Sequence, residues 1–145
     1  MATSSLGTGE SRAAAADAGL LVLRLVLGIL ILCHGLSKLP PPSAFVVGAL
    51  AKADLPGFLA YGVYLGEVLG PILVIVGLWT RLGALLIVIN MLFAVALAHP
   101  ANMMSLGASG GYVQELQAMY LFVAVALVLL GAGRYSVGGR LGRMN

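Results

Sequence analysis

The 145 residues are 61% hydrophobic and only 9% charged, with a mean hydropathy of +1.06, far too apolar for a soluble domain of this size. The composition is that of a membrane protein with one domain, its core made of packed transmembrane helices. The net charge of +3 carries no nucleic-acid pattern, because Lys and Arg are scattered singly with only Arg134, Arg140 and Arg143 loosely grouped, and the lone Cys33 excludes an intrachain disulfide or a CxxC redox or zinc site.

Residues 1 to 16 are Ser, Gly, Thr and Ala with Glu10 and Arg12, and they read as a flexible tail. A cleaved signal peptide is not expected, since the apolar run that follows is long, contains Arg24 and ends without a small-residue cleavage site. Four apolar runs follow, at about 18 to 37, 58 to 78, 82 to 98 and 114 to 131. Each approaches or reaches the roughly 20 residues that cross a bilayer core of about 30 Å. The expected architecture is an all-α, four-transmembrane-helix bundle over residues 17 to 137, closed by a short basic tail at 138 to 145. Between the first two runs, Pro40, Pro41 and Pro42 precede Ser43 to Lys52, whose Phe45, Val46, Val47 and Leu50 suit a short helix at the interface. Trp79, Thr80 and Arg81 leave room only for a tight turn, so the second and third helices are antiparallel neighbours. The third connection, Pro100 to Tyr112, is polar, carries Gly107, Gly110 and Gly111, and has no Lys or Arg.

Arg12, Arg81, Arg134, Arg140 and Arg143 flank helix ends on one side, and Lys38 and Lys52 on the other. The positive-inside rule then places both termini in the cytoplasm of a multi-pass protein of the cell membrane. His34, Lys38, His99, Tyr112 and Glu115 share the outer side.

Arg24 lies roughly 10 Å inside the first helix, where an unpaired guanidinium is costly. Glu67, near the middle of the second helix, is the expected ion-pair partner; the blander alternative has Arg24 snorkelling to the inner headgroups and Glu67 protonated. Gly62, Gly66 and Gly70 at four-residue spacing, followed by Pro71, let another helix approach closely. Arg24, Gly28, Ile31, Gly35 and Lys38 form the matching stripe on the first helix. At the outer end, His34 and Lys38 are one turn apart, His99 closes the third helix, and Glu115 opens the fourth beside Gln114 and Gln117. Each has a structural explanation alone, as a cap, a snorkelling cation or a complement to a helix dipole. Together they could form a proton-coupled pocket for a quinone head group, with His34, His99 and Tyr112 contacting the cofactor. An axial haem pair of His34 and His99 is conceivable but has no supporting motif, no metal site is expected, and Asn90 reads as interhelical glue.

The chain resembles the DoxX family of small four-helix membrane proteins over about Gly19 to Val137. The matching pieces are Arg24-x3-Gly28 running into Gly35-x2-Lys38-Leu39, Leu55-Pro56, Gly66-Glu67, Gly77-Leu78-x-Thr80-Arg81, His99, Glu115 and Gly131-x-Gly133-Arg134-x-Ser136. The family usually follows that Ser with a hydrophobic residue and an Asp, whereas here Val137 is followed by Gly138. The resemblance implies a membrane component of redox systems, since archaeal relatives are subunits of a thiosulfate:quinone oxidoreductase and bacterial ones look like partners of oxidative-stress and sulfur-handling proteins. Carried over by position, Arg24, Lys38, Glu67, His99 and Glu115 are the family's polar positions, and His34 rests on proximity alone. The function expected is that of a quinone-linked redox subunit passing protons or electrons between the membrane and a soluble or membrane partner protein. Two alternatives stay open: a non-catalytic anchor or assembly factor, and a small-solute carrier, which gains from Pro71 but lacks paired repeats.

Overall fold

The computed structural model describes residues 3–39, 42–98, 105–107, 110–139, 142 and 144–145. Its described residues form five α-helices: α1 Thr3–Ser37, α2 Ala44–Lys52, α3 Gly70–Val76, α4 Thr80–Ala98 and α5 Glu115–Leu130. Helix α1 begins inside the segment expected to be a tail, because the Ala13–Ala16 run is made of the best helix former and nothing before the apolar stretch breaks the turn. Residues 9 to 16 are all exposed, and Asp17 is buried.

Helix α2 is capped by Ser43, whose hydroxyl accepts from the Val46 N–H at 3.4 Å. It is followed by a 3-10 segment, Gly57–Gly62, and a π segment, Leu65–Leu69, that run on into α3. Pro71 accounts for the π turn. It has no N–H to give the carbonyl four residues back, that of Glu67, and its ring crowds that carbonyl, so the helix widens and Gly70 N–H bonds to Leu65 O instead. The widened turn holds Glu67.

Among the described residues, three helical stretches are long and apolar enough to cross a membrane: Gly9–Ser37, Gly57–Val76 and Thr80–Leu97; α5 is apolar but shorter, at 16 residues. Gly77, in the left-handed conformation at φ 75°, ends α3 and leads through Trp79 into α4. The first residue of α4 is held from afar, the Asn145 Oδ1 accepting from both the Thr80 N–H (3.2 Å) and hydroxyl (3.0 Å). Before α5, Leu106 pairs with Tyr112 in an isolated antiparallel bridge, and Gly110 has φ 81°. The core joins Leu27 and Ile31 of α1, Val74 of α3, Ala84, Ile87 and Met91 of α4, and Ala124 and Leu127 of α5. The outward faces are apolar too: Val26 and Ile29 on α1, Leu92 and Phe93 on α4, Phe122 and Leu129 on α5 are all at least half exposed, a surface suited to lipid and not to water.

Candidate functional site

The small residues set the register between α1 and the second span. A Cβ on Gly35 would collide with the Glu67 carbonyl, one on Gly28 would meet Ile75 and the Pro71 carbonyl, and one on Gly77 would meet the Arg24 guanidinium. The two elements are therefore antiparallel with Glu67 opposite Gly35, eleven residues beyond Arg24, or roughly 16 Å along the axis. The expected Arg24–Glu67 ion pair is not formed. The glycine register determines which cation Glu67 meets, and that cation is Lys38.

Arg24 is 1% exposed and is met by carbonyl oxygens. Nε donates to Val74 O (2.8 Å), one terminal nitrogen to Ala132 O (2.8 Å) and Tyr135 O (2.7 Å), and the other to Ile75 O (2.9 Å). Val74 and Ile75 lie in the last turn of α3, where carbonyls have no donor within the helix and carry the negative end of its dipole. Five planar donors in a fixed fork match such a cluster in a way an ammonium cannot. The same end holds Asp17, whose carboxylate accepts from the Arg134 N–H at 3.0 Å. Gly138 stands close to Asn145, whose amide lies where a Cβ would project.

At the other end, the Lys38 ammonium bonds both Glu67 carboxylate oxygens, at 2.7 and 2.6 Å. Asn90 donates to the same carboxylate at 3.1 Å, and the Tyr64 hydroxyl donates to the Lys38 carbonyl at 3.0 Å. The Glu67 side chain is 5% exposed and that of Lys38 31%. The pair forms one wall of a cavity of about 180 Å3, whose other lining includes Ile31, His34, Met91, Gln117 and Tyr120. The His34 ring stands edge-on to Tyr120, centroids 6.1 Å apart. The Gln117 Oε1 is buried with no hydrogen-bond partner. A second cavity, about 160 Å3, shares Lys38, Phe45, Glu67 and Ala94 with the first. A third, about 220 Å3, shares Val46, Val63, Asn90, Phe93 and Leu97 with the second and is almost wholly apolar.

Of the sequence-derived candidates, His34, Lys38 and Glu67 come together at this cavity. Arg24 is at the opposite end. Glu115 is exposed at the start of α5 and Tyr112 is 56% exposed in the preceding turn, and neither lines the cavity. His99 lies outside the described residues. Asn90, read as interhelical glue, does join two spans, and it does so through the carboxylate of the site. Gln117 and Tyr120 were not singled out as site residues. A signal for them exists in the spacing: Gln117, Tyr120, Ala124 and Leu127 repeat at three, four and three residues, the rhythm of the α1 stripe, and Ala124 and Leu127 are fully buried.

An ammonium, a buried carboxylate, an imidazole, an amide and a phenol around a small, otherwise apolar cavity can orient a polar ring and exchange protons with it. Among the described residues no group of three or more His, Cys, Asp or Glu could hold a metal ion.

The DoxX family model matches residues 19–100, more than half of the chain. The chain is 30% identical over 116 residues to the Bacillus subtilis (strain 168) protein named "Putative oxidoreductase CatD", covering 80% of this chain and 81% of that one. It is 35% identical over 115 residues to an uncharacterized protein of Haemophilus influenzae, covering 77% and 81%. No solved structure matches. The family match runs from the start of the buried face of α1 through the end of α4, and so takes in Arg24, Lys38, Glu67 and Asn90: the chain belongs to the DoxX family.

Proposed function

We propose that the chain is a quinone-linked subunit of a redox system in the cell membrane, holding a quinone head group in the Lys38–Glu67 cavity and exchanging protons or electrons with a partner protein. In this reading α5 is a fourth membrane span. Its 16 residues reach about 24 Å, and the shortfall against a hydrocarbon core of about 30 Å is met by local thinning and flanking residues. Both termini are cytoplasmic, and Lys38, α2 and the cavity are at the outer side.

One observation carries the reading: a bidentate ion pair with a buried carboxylate forms the wall of a ring-sized cavity in the apolar body of a membrane protein, where such groups are rare and mark functional sites. The apolar cavities adjoining that pair offer a path for an isoprenoid tail, and the name of the Bacillus subtilis relative points to redox chemistry. The test is titration of the purified chain in detergent with a short-chain benzoquinone. Binding that Lys38→Met and Glu67→Gln both weaken by tenfold or more supports the reading. A chain that binds no quinone yet co-purifies with a redox protein is an anchor instead.

A further inference from the structure

We infer that Gly62 is a specificity-determining residue: the absence of a side chain there lets the apolar tail of a ring compound pass, so that the site admits a tailed, membrane-borne quinone; this rests on the head-group reading above. Gly62, Gly66 and Gly70 share a four-residue spacing but not their surroundings. A Cβ on Gly66 would meet the Asn90 side chain and one on Gly70 the Gly83 carbonyl, so the close approach of α4 accounts for both. A Cβ on Gly62 would meet nothing within 4 Å. Nor is Gly62 among the glycines with positive φ, where the backbone itself favours glycine. Neither packing nor conformation explains it. What Gly62 does border is open space, the apolar cavity of about 220 Å3.

That cavity adjoins the polar site through Asn90. The amide donates to the Glu67 carboxylate at 3.1 Å, and the same residue lines both the cavity of about 160 Å3 beside the ion pair and the apolar one beyond it. Asn90 is the single polar side chain among the described residues that line the apolar cavity, and the α4 part of the lining runs from Leu86 to Leu97, roughly 16 Å along the helix. Leu59, Leu65, Ile89 and Phe93 of that lining are each at least 40% exposed, so the cavity gives onto the outward apolar face between the second span and α4. An amphiphile with its ring at Lys38 and Glu67 thus has an apolar route for its tail. The groove under α2, about 440 Å3, is the rival exit, but it touches α4 only at Ala96 and Leu97 and carries Lys52, which places it near the end of the bundle. Lipid tails are as apolar as these walls, so burying a ligand tail adds little affinity. Selection is therefore steric, and the side chain at position 62 sets it.

The experiment is calorimetric titration of the full chain in micelles, at one detergent concentration, with 2,3-dimethoxy-5-methyl-1,4-benzoquinone and with its 6-decyl derivative. Partition into micelles then cancels between variants. Gly62→Leu should weaken binding of the decyl compound by about tenfold or more, the effect of overfilling an occupied space, and leave the tail-less ring within about twofold; the retained ring binding also shows that the variant folds. Unchanged affinity for the decyl compound overturns the inference. A second arm needs no variant: a decyl quinone with a diazirine at the tail end, photolysed on the unaltered chain, should label Leu59, Leu65, Leu86 or Phe93. Labelling of Gly48, Lys52 or Ala96 instead, or labelling that excess unlabelled decyl compound does not suppress, overturns the inference, and so does a chain that binds the ring but not the decyl compound. In those cases ring binding that depends on Lys38 and Glu67 leaves the quinone reading standing. If neither compound binds, the quinone reading falls and this inference with it.

Discussion

Two cations enter the apolar body of this bundle, Arg24 within α1 and Lys38 just past its last residue, fourteen residues apart, and they are neutralised in different ways. Arg24 is enclosed by backbone: its contacts are the carbonyls of Val74, Ile75, Ala132 and Tyr135, none of which titrates. Lys38 is matched by a side chain, Glu67, and both face a cavity. A guanidinium held by helix-end carbonyls is a fixed structural joint, tying α1 to the end of α3 and to the segment after α5. An ammonium–carboxylate pair beside open space can change partners or protonation when something enters. The difference separates the part of the molecule that holds the helices together from the part that can do chemistry.

The largest expected effect breaks the joint. Arg24→Met should lower detergent stability by about 3 to 5 kcal/mol, because several buried carbonyls lose their donor at once. Arg24→Lys should recover only part, since a point charge cannot reach all the acceptors that the planar fork reaches. Thermal unfolding of the two variants measures this. Because Arg24 and Glu67 do not meet, Arg24→Met and Glu67→Gln should be additive within about 0.5 kcal/mol in the double variant. A strong coupling would mean that the two regions are one.

Next comes the pair itself. Lys38→Met leaves the Glu67 carboxylate buried with only Asn90 as a donor, and should cost about 2 to 3 kcal/mol. Lys38→Met with Glu67→Met should regain most of that stability, as apolar replacements of a buried pair commonly do, while ring binding stays lost. Stability and binding thus separate at Lys38 and not at Arg24.

Much of this was legible before any coordinates. The apolar runs, the turn at Trp79 and the close-packing stripe from Arg24 to Lys38 follow from residue type and spacing, because the lengths of the runs and the placing of small residues dictate where helices lie and touch; the family came from the resemblance of the motifs. The partner of Glu67 was not legible. Depth along an isolated helix cannot distinguish Arg24 from Lys38; only the register does, and Gly35 against the Glu67 carbonyl decides it. Nor does residue type reveal that carbonyls, which every residue carries, could stand in for a counter-ion. The π turn was half visible, since Pro71 announces a break, but which carbonyl it frees and which side chain the widened turn presents depend on packing.

That register gives a smaller prediction. Gly35→Ala places a methyl group on the backbone carbonyl of Glu67, which has no rotamer with which to yield, so the span must move and take the carboxylate with it. Gly28→Ala meets first the Ile75 side chain, which can turn aside, although the Pro71 carbonyl stands 3.2 Å from the new carbon. Gly35→Ala should cost about 2 kcal/mol and weaken benzoquinone binding, and Gly28→Ala should cost less and leave binding nearly unchanged. Equal losses of binding would mean that the glycines set only the distance between helices and do not place the carboxylate.

The smallest effect is expected at His34, and it defines where the chemical region ends. Its side chain lines the cavity yet is exposed, and its ring packs edge-on against Tyr120. Phenylalanine keeps that ring contact and removes only the nitrogens, so His34→Phe should change stability by no more than about 0.5 kcal/mol. A hydrogen bond from a group that already faces the outside replaces one to solvent and adds little, so affinity for the benzoquinone should fall by no more than about threefold. The calorimetric titration that measures Lys38→Met measures this as well. A loss of tenfold or more would move His34 from the rim of the cavity to the same footing as Lys38 and Glu67, and the chemical region would then comprise an imidazole and an ion pair, enough to accept a proton at one group and release it at another.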